Sequence, residues 1–259
     1  MEYLIHDNRE GRPFYLTFFL LYNTYNIDYH SEVFNEWGIF FSYSIAYITC
    51  LIFYGIDLFL VYTNNLKSYR INTNLKDLEY NKIHKSFIVS SYNSLLINLP
   101  LRVSIFYPFC KYLQFNQSIK DYSYSTIILS VFYCIILTDI FFYFIHKLLH
   151  HKILYKYIHK VHHEINDTYC VSFQYCHSLE AVFNEMSICF PVILSYIPYD
   201  LIYIWFFIAH INTCLSHSGY IFSAHDSHHH YKICNFGISG LPYLNLDYIF
   251  KTRYKDIFT

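Results

Sequence analysis

Sixteen histidines are spread along this 259-residue chain, and thirteen of them fall between residues 146 and 230. Their spacing is regular. His146 and His150 stand four apart, which puts both on one face of a helix. His159, His162 and His163 follow the order i, i+3, i+4, and His225, His228 and His229 repeat that order near the C-terminus. Eight imidazoles on three short helical faces can converge, and His177 and His217 lie between the groups and can join them. A lone histidine is ordinarily a solvated or satisfied side chain, the reading given to His6, His30 and His84. A solvated pH-sensing patch has no need of a repeated H-x-x-H-H order. Neutral imidazole is a ligand for zinc, copper, iron or nickel. One zinc takes three or four protein ligands, so eight or more imply two ions. The absence of H-E-x-x-H removes the common zinc-protease reading.

The elements that must carry these side chains are apolar. Crossing a bilayer takes about 20 apolar residues in a helix. The stretch from Trp37 to Tyr62 qualifies, with one charge at Asp57. Ser86 to Phe109 is interrupted by Pro100 and Arg102, so a kinked, tilted or re-entrant helix is expected. Ser123 to Ile145 carries a single charge, Asp139. A further apolar run from Ala181 to Ile211 is broken by Pro191 and Pro198 and reads as a hairpin turning near Pro198 and Tyr199. Phe14 to Tyr22 is too short to span and fits the interface. Lys67, Arg70, Lys76, Lys82 and Lys85 place the loop after the first span in the cytosol. Counting spans from there returns the chain to the cytosol at His146, beside Lys147, Lys152, Lys156 and Lys160. The hairpin keeps it there, so all thirteen histidines gather at one membrane surface. Two nitrogen-ligated metal ions over an apolar floor suit dioxygen chemistry on a lipid.

Composition narrows the class. The chain is 54% hydrophobic and 14% charged, against about 25% charged in soluble domains. Its net charge of −1 gives no sign of a nucleic-acid partner. Eight scattered cysteines without a C-x-x-C pair read as free, buried thiols. The acidic, polar start MEYLIHDNREGRPFY is unlike a cleaved signal peptide. The expected fold is all-α: an integral membrane protein with about four transmembrane helices under a cytosolic, histidine-rich helical cap. The expected organisation is an N-terminal polar or interfacial segment (1–36), membrane helices with a cytosolic loop (37–122) and a catalytic domain (123–259).

The segments HKLLH (146–150), HKVHH (159–163) and HDSHH (225–229) resemble the three histidine boxes of the fatty acid hydroxylase/sterol desaturase superfamily. LYKYIHKVHH (154–163), QYCHSLE (174–180), HSGY (217–220) and HDSHHHY (225–231) are similar to the 4-methylsterol oxidase branch. HKVHH and CNFG (234–237) are also similar to the cholesterol 25-hydroxylase branch. The resemblance covers roughly residues 138–253. It implies a non-haem di-iron site held by His146, His150, His159, His162, His163, His225, His228 and His229, completed by His177 and His217. It further implies dioxygen as oxidant, and electrons from NAD(P)H delivered by cytochrome b5 or a reductase at a multi-pass endoplasmic reticulum site. Glu180, one turn after His177, matches an acidic family position. Asp139 lies seven residues before His146 and either orients that imidazole or is a plain interfacial carboxylate. The four lysines among the first boxes suit an acidic electron carrier or lipid headgroups.

The chain also departs from the family. Only IFSA (221–224) separates HSGY from the last box, where methylsterol oxidases insert a longer loop. Leu215, Ser178 and Ala224 replace family residues, and the C-terminal W-D…G-T pattern survives as Leu246, Asp247, Lys251 and Thr252. The expected activity is a membrane di-iron monooxygenase that oxidises a sterol, most simply at a 4-methyl group. Sterol side-chain (25-) hydroxylation, sterol desaturation and fatty acid hydroxylation use the same boxes and stay open. The readings outside catalysis are a metal transporter or sensor, and a relative that binds metal or sterol without turnover.

Overall fold

The computed structural model describes residues 36–63, 65, 80–113, 119–166, 168–220, 224–237 and 246–258. The expected interfacial segment Phe14 to Tyr22, the loop lysines Lys67 to Lys76, and residues 221–223 lie outside these. The described residues form helices joined by turns. Helix α1 (Glu36–Tyr62) is followed by α2 (Tyr80–Tyr92), α3 (Tyr124–Leu149), the hairpin α4 (Ser178–Ser195) and α5 (Tyr199–Ser216), α6 (Ala224–Tyr231), and the short C-terminal helices α7 (Leu246–Ile249) and α8 (Tyr254–Phe258).

Three helical stretches are long and apolar enough to cross a membrane: Gly38–Tyr62, Tyr124–Leu149 and Ser178–Ser195. Apolar side chains such as Ile45, Ile52, Leu129 and Leu194 point outward on them, the pattern of helices that face lipid. Helix α3 begins at Ser123, whose hydroxyl accepts the Thr126 N–H at 3.2 Å. Twenty residues cross about 30 Å, so a helix of this length carries His146 beyond the apolar slab.

The interrupted segment around Pro100 and Arg102 is one continuous helical rod. Helix α2 runs on through a π segment (Asn93–Asn98), a turn (Leu99–Leu101), a second π segment (Arg102–Phe106) and a final turn (Tyr107–Tyr112). Pro100 lies inside the rod, in the short α turn between the two π segments, so its missing N–H falls where the regular α-helical ladder is already interrupted. Arg102 is fully buried, and its guanidinium binds both carboxylate oxygens of Glu185 on α4. The hairpin turns where the sequence places it. Tyr196 adopts the left-handed conformation (φ 50°) to end α4, and Pro198 precedes the first turn of α5. Helix α3 packs along α4, and α1 along α5. All eight cysteines are free and buried.

Candidate metal centre

Two groups of imidazoles converge above the helices. His146, His150, His159, His163 and His228 form one, and His162, His217, His225 and His229 the other. Within each group one ring nitrogen per residue lies within 4.8 Å of the others. The rings of His146 and His225, and of His163 and His229, are 5.4 and 4.9 Å apart across the boundary, so the groups adjoin. Nine of the ten sequence candidates therefore meet. His177 does not: its side chain is exposed, and its Nδ1 accepts the Leu179 N–H at 3.1 Å to cap α4. A helix start there needs a capping acceptor, and this cap turns the ring away from the centre. His151 and His230, each adjacent to a box, are exposed.

The rings are oriented by acceptors behind them. His146 Nδ1 meets the Phe236 carbonyl at 2.8 Å, His228 Nδ1 the Cys234 carbonyl at 2.7 Å, and His229 Nδ1 the Ile165 carbonyl at 3.1 Å. His162 Nδ1 meets the Tyr175 carbonyl at 3.0 Å and His217 Nδ1 the Thr213 carbonyl at 2.7 Å. His159 Nδ1 meets Glu180 Oε1 at 2.8 Å. A carbonyl or carboxylate can only accept, so each of these six Nδ1 atoms carries the proton and each Nε2 carries a lone pair.

Those lone pairs face one another. His162 and His217 Nε2 are 3.3 Å apart although both rings hold their proton on Nδ1. No hydrogen bond can join two bare lone pairs. In the larger group, His150 Nε2 lies 3.0 Å from His159 and 3.1 Å from His228, and His163 Nε2 lies 3.1 and 3.2 Å from the same two. Nitrogens bound to one cation at about 2.1 Å sit roughly this far apart. Extra protons are not the remedy. Burial first, and neighbouring imidazoles second, hold His159, His163, His225, His228 and His229 well below the usual imidazole range. Burial likewise pulls His150 and His162 down to about 4 and His217 to about 3. The donor set, its tautomers and its crowding fit two cations.

The scaffold behind the centre comes from residues distant in sequence. Ser90 and Asn93 of the rod hold the 170–176 segment by donating to the carbonyls of Val171 (2.6 Å), Gln174 and Cys176 (both 2.9 Å). That segment supplies the Tyr175 carbonyl to His162. Asp247 accepts the N–H groups of Phe236 at 2.8 Å and Gly237 at 2.6 Å, and the Thr252 hydroxyl at 2.6 Å. It thereby fixes the strip whose carbonyls hold His146 and His228. Asp139 does not reach His146; it accepts the Leu246 N–H at 2.9 Å and so anchors the same C-terminal strip. Glu180, the acidic residue one turn after His177, holds His159 instead. The carbonyls of Phe236, Cys234, Ile165, Tyr175 and Thr213 carry no sequence signal, because every residue has one. Asp247 had one, the residual D…T spacing with Thr252.

A cavity opens below the two histidine groups, between α3, α4 and α5. Its upper wall includes His146, His162 and His217, and its lower wall Ile135, Ile188 and Trp205. Trp205 precedes His217 by twelve positions on one helix, about 18 Å at 1.5 Å per residue. The site is thus a polar, nitrogen-lined roof over a deep apolar shaft.

Comparison with known proteins agrees with this arrangement. The fatty acid hydroxylase family model matches residues 131–252. A putative methylsterol monooxygenase of Dictyostelium discoideum is 28% identical over 249 residues, 90% of this chain and 90% of its own. Fatty acid hydroxylase ahd1 of Mycosarcoma maydis is 36% identical over 127 residues, 46% of this chain and 32% of its own. Methylsterol monooxygenase 1 of Gallus gallus is 29% identical over 185 residues, 71% of this chain and 61% of its own. No solved structure matches the chain.

Proposed function

We propose that this chain, whose residues 131–252 match the fatty acid hydroxylase family model, is a membrane-bound, non-haem di-iron oxidoreductase that uses dioxygen to oxidise a 4-methyl group of a sterol. The names of its slime-mould and chicken relatives support the sterol reading. The observation that carries the metal reading is the pair His162 and His217, whose Nε2 lone pairs face each other at 3.3 Å. His146, His150, His159, His163 and His228 would hold one ion, and His162, His217, His225 and His229 the other. Bound there, the two ions supply dioxygen activation and oxidation of an unactivated C–H bond.

The chain's own part is positional. Backbone carbonyls and Glu180 lock the imidazole tautomers, which keeps the ligand nitrogens unprotonated and aimed inward. The apolar walls of the shaft exclude water and hold a lipid under the roof. Exposed Lys147, Lys152, Lys156 and Lys160 form a basic rim around the histidine cap, suited to an acidic carrier such as cytochrome b5 or a reductase passing electrons from NAD(P)H. The catalytic unit spans residues 123–259, with its histidine cap on the cytosolic face of the endoplasmic reticulum membrane.

The test is product analysis. Membranes containing the full chain, supplied with NADPH, a carrier system, dioxygen and a 4-methylsterol, should yield the 4-hydroxymethyl product or its further oxidation products, and His162→Ala membranes should not. Hydroxylated fatty acyl chains or a side-chain-hydroxylated sterol would move the activity to another branch of the same chemistry. Iron-loaded protein without any oxidised lipid would favour a binding protein.

A further inference from the structure

Large apolar side chains that stand exposed one at a time need no explanation, but a contiguous group of them marks an interaction surface. One such group lies where α3 leaves the apolar slab, and part of it comes from the far end of the chain. Phe144 and Leu148, one turn apart on α3, are 51% and 60% exposed. Ile249 and Phe250, at the end of α7, are 56% and 49% exposed. The Phe250 ring stacks on that of Tyr143 at 5.5 Å and meets that of Phe144 edge-on at 5.9 Å, so the two pairs join. The turn that presents them is closed by its own backbone. The Phe250 N–H donates to the Leu246 carbonyl at 2.8 Å, and the Thr252 N–H to the Asp247 carbonyl at 2.9 Å.

Position along α3 tells what covers this surface. Twenty residues separate Phe144 from Tyr124 at the start of the helix, about 30 Å at 1.5 Å per residue, which is the thickness of a hydrocarbon core. Leu129 and Tyr133, exposed on the same side of α3, lead up to it. Charge agrees with depth. Lys147 and Lys251 are exposed beside the group, and Lys147 Nζ lies 5.5 Å from the centre of the Phe250 ring and 5.3 Å from that of Tyr143. Aromatic and aliphatic side chains rimmed by lysines suit the layer where hydrocarbon gives way to phosphate headgroups. A second copy docked face to face would set these lysines against each other. We propose that Ile249 and Phe250 insert into the interfacial layer of a phospholipid bilayer beside the exit of α3, with the ammonium groups of Lys147 and Lys251 at headgroup level. The proposal rests on the membrane spans and not on the sterol reading. The C-terminal turn then has two faces. Its outer face meets lipid, and its inner face carries Asp247, which fixes the strip that orients His146 and His228.

The experiment places the unaltered full chain in vesicles of phosphatidylcholine and phosphatidylglycerol and labels it with two photoreactive diazirines. One is carried on the upper acyl chain of a phospholipid, the other is dissolved in the water, and peptide mass spectrometry reads the adducts. The lipid-to-water ratio of adducts on residues 246–250 is expected to come within about threefold of that on residues 143–148, because both lie at one depth. A lower ratio would overturn the proposal. So would a segment that neither reagent marks, the sign of a second copy or another protein over this face. Ile249→Asp should cut the lipid adducts on residues 246–250 several-fold and leave those on residues 143–148 unchanged, because a carboxylate is poorly tolerated among acyl chains. Lipid adducts undiminished by that charge would also overturn the proposal, since the segment would then lie near lipid without being held by it. The ratio measured on the unaltered chain decides the matter even if the variant does not fold.

Discussion

At the scale of single residues, the centre is an arrangement of tautomers. Six imidazoles are committed to Nδ1–H by acceptors behind them, which leaves Nε2 lone pairs crowded inward. Such a set resists protons. His150 and His162 titrate near 4 and His217 near 3 because burial disfavours the imidazolium, whereas an unfolded chain takes up those protons near 6.5. The folded pKa values lie below the unfolded ones, so metal-free stability is complete above about pH 6.5 and is lost as pH falls towards 4, where only the unfolded chain gains protons. Thermal unfolding of metal-stripped protein should therefore show a midpoint that is level from pH 8 to 7 and falls steadily between pH 6.5 and 4. A midpoint rising on acidification would contradict the burial of these rings. Histidine spacing anticipated the convergence of nine of the ten candidate residues. His177 was misplaced because its position also serves as the first cap of α4, a local demand that box matching does not register.

At the scale of elements, the three boxes and the hairpin followed from periodicity and proline placement. What holds them did not, because the contacts are long-range and use backbone groups. The strip 234–237 is fixed by Asp247 and in turn fixes His146 and His228. Asp247→Ala leaves the Phe236 and Gly237 N–H groups unpaired and frees their carbonyl strip, so metal affinity should fall about 10-fold or more, as for other outer partners of metal ligands. Competition with a chromophoric chelator measures this, and unchanged affinity would show that the strip is rigid without Asp247. Gly237 is required for a related reason: a Cβ there would sit 2.9 Å from Asp247 Oδ2 and 3.0 Å from Asp139 Oδ1. Gly237→Ala should cost about 1 to 3 kcal/mol of stability through this overpacking, read as a lowered thermal midpoint in detergent.

At the scale of the whole molecule, three apolar spans, a polar-centred rod and a histidine roof divide the work of membrane residence, support and chemistry. The rod's charge was visible in the sequence as Arg102 inside an apolar run, but its partner Glu185 lies 83 residues away and emerges only in the fold. Removing one member of a buried pair strands the other, at about 3 to 5 kcal/mol, whereas replacing both with apolar residues is far milder. Arg102→Met should accordingly lower the detergent melting temperature much more than Arg102→Met with Glu185→Leu; equal losses would mean that the pair does not join the rod to α4. The central claim, that the two imidazole groups hold two irons, is met most directly by metal analysis of detergent-purified protein beside its His162→Ala/His163→Ala variant. About two irons per chain in the unaltered protein, falling sharply in the variant, is the predicted result. One zinc per chain, or no metal in a protein that keeps its helices, would contradict it.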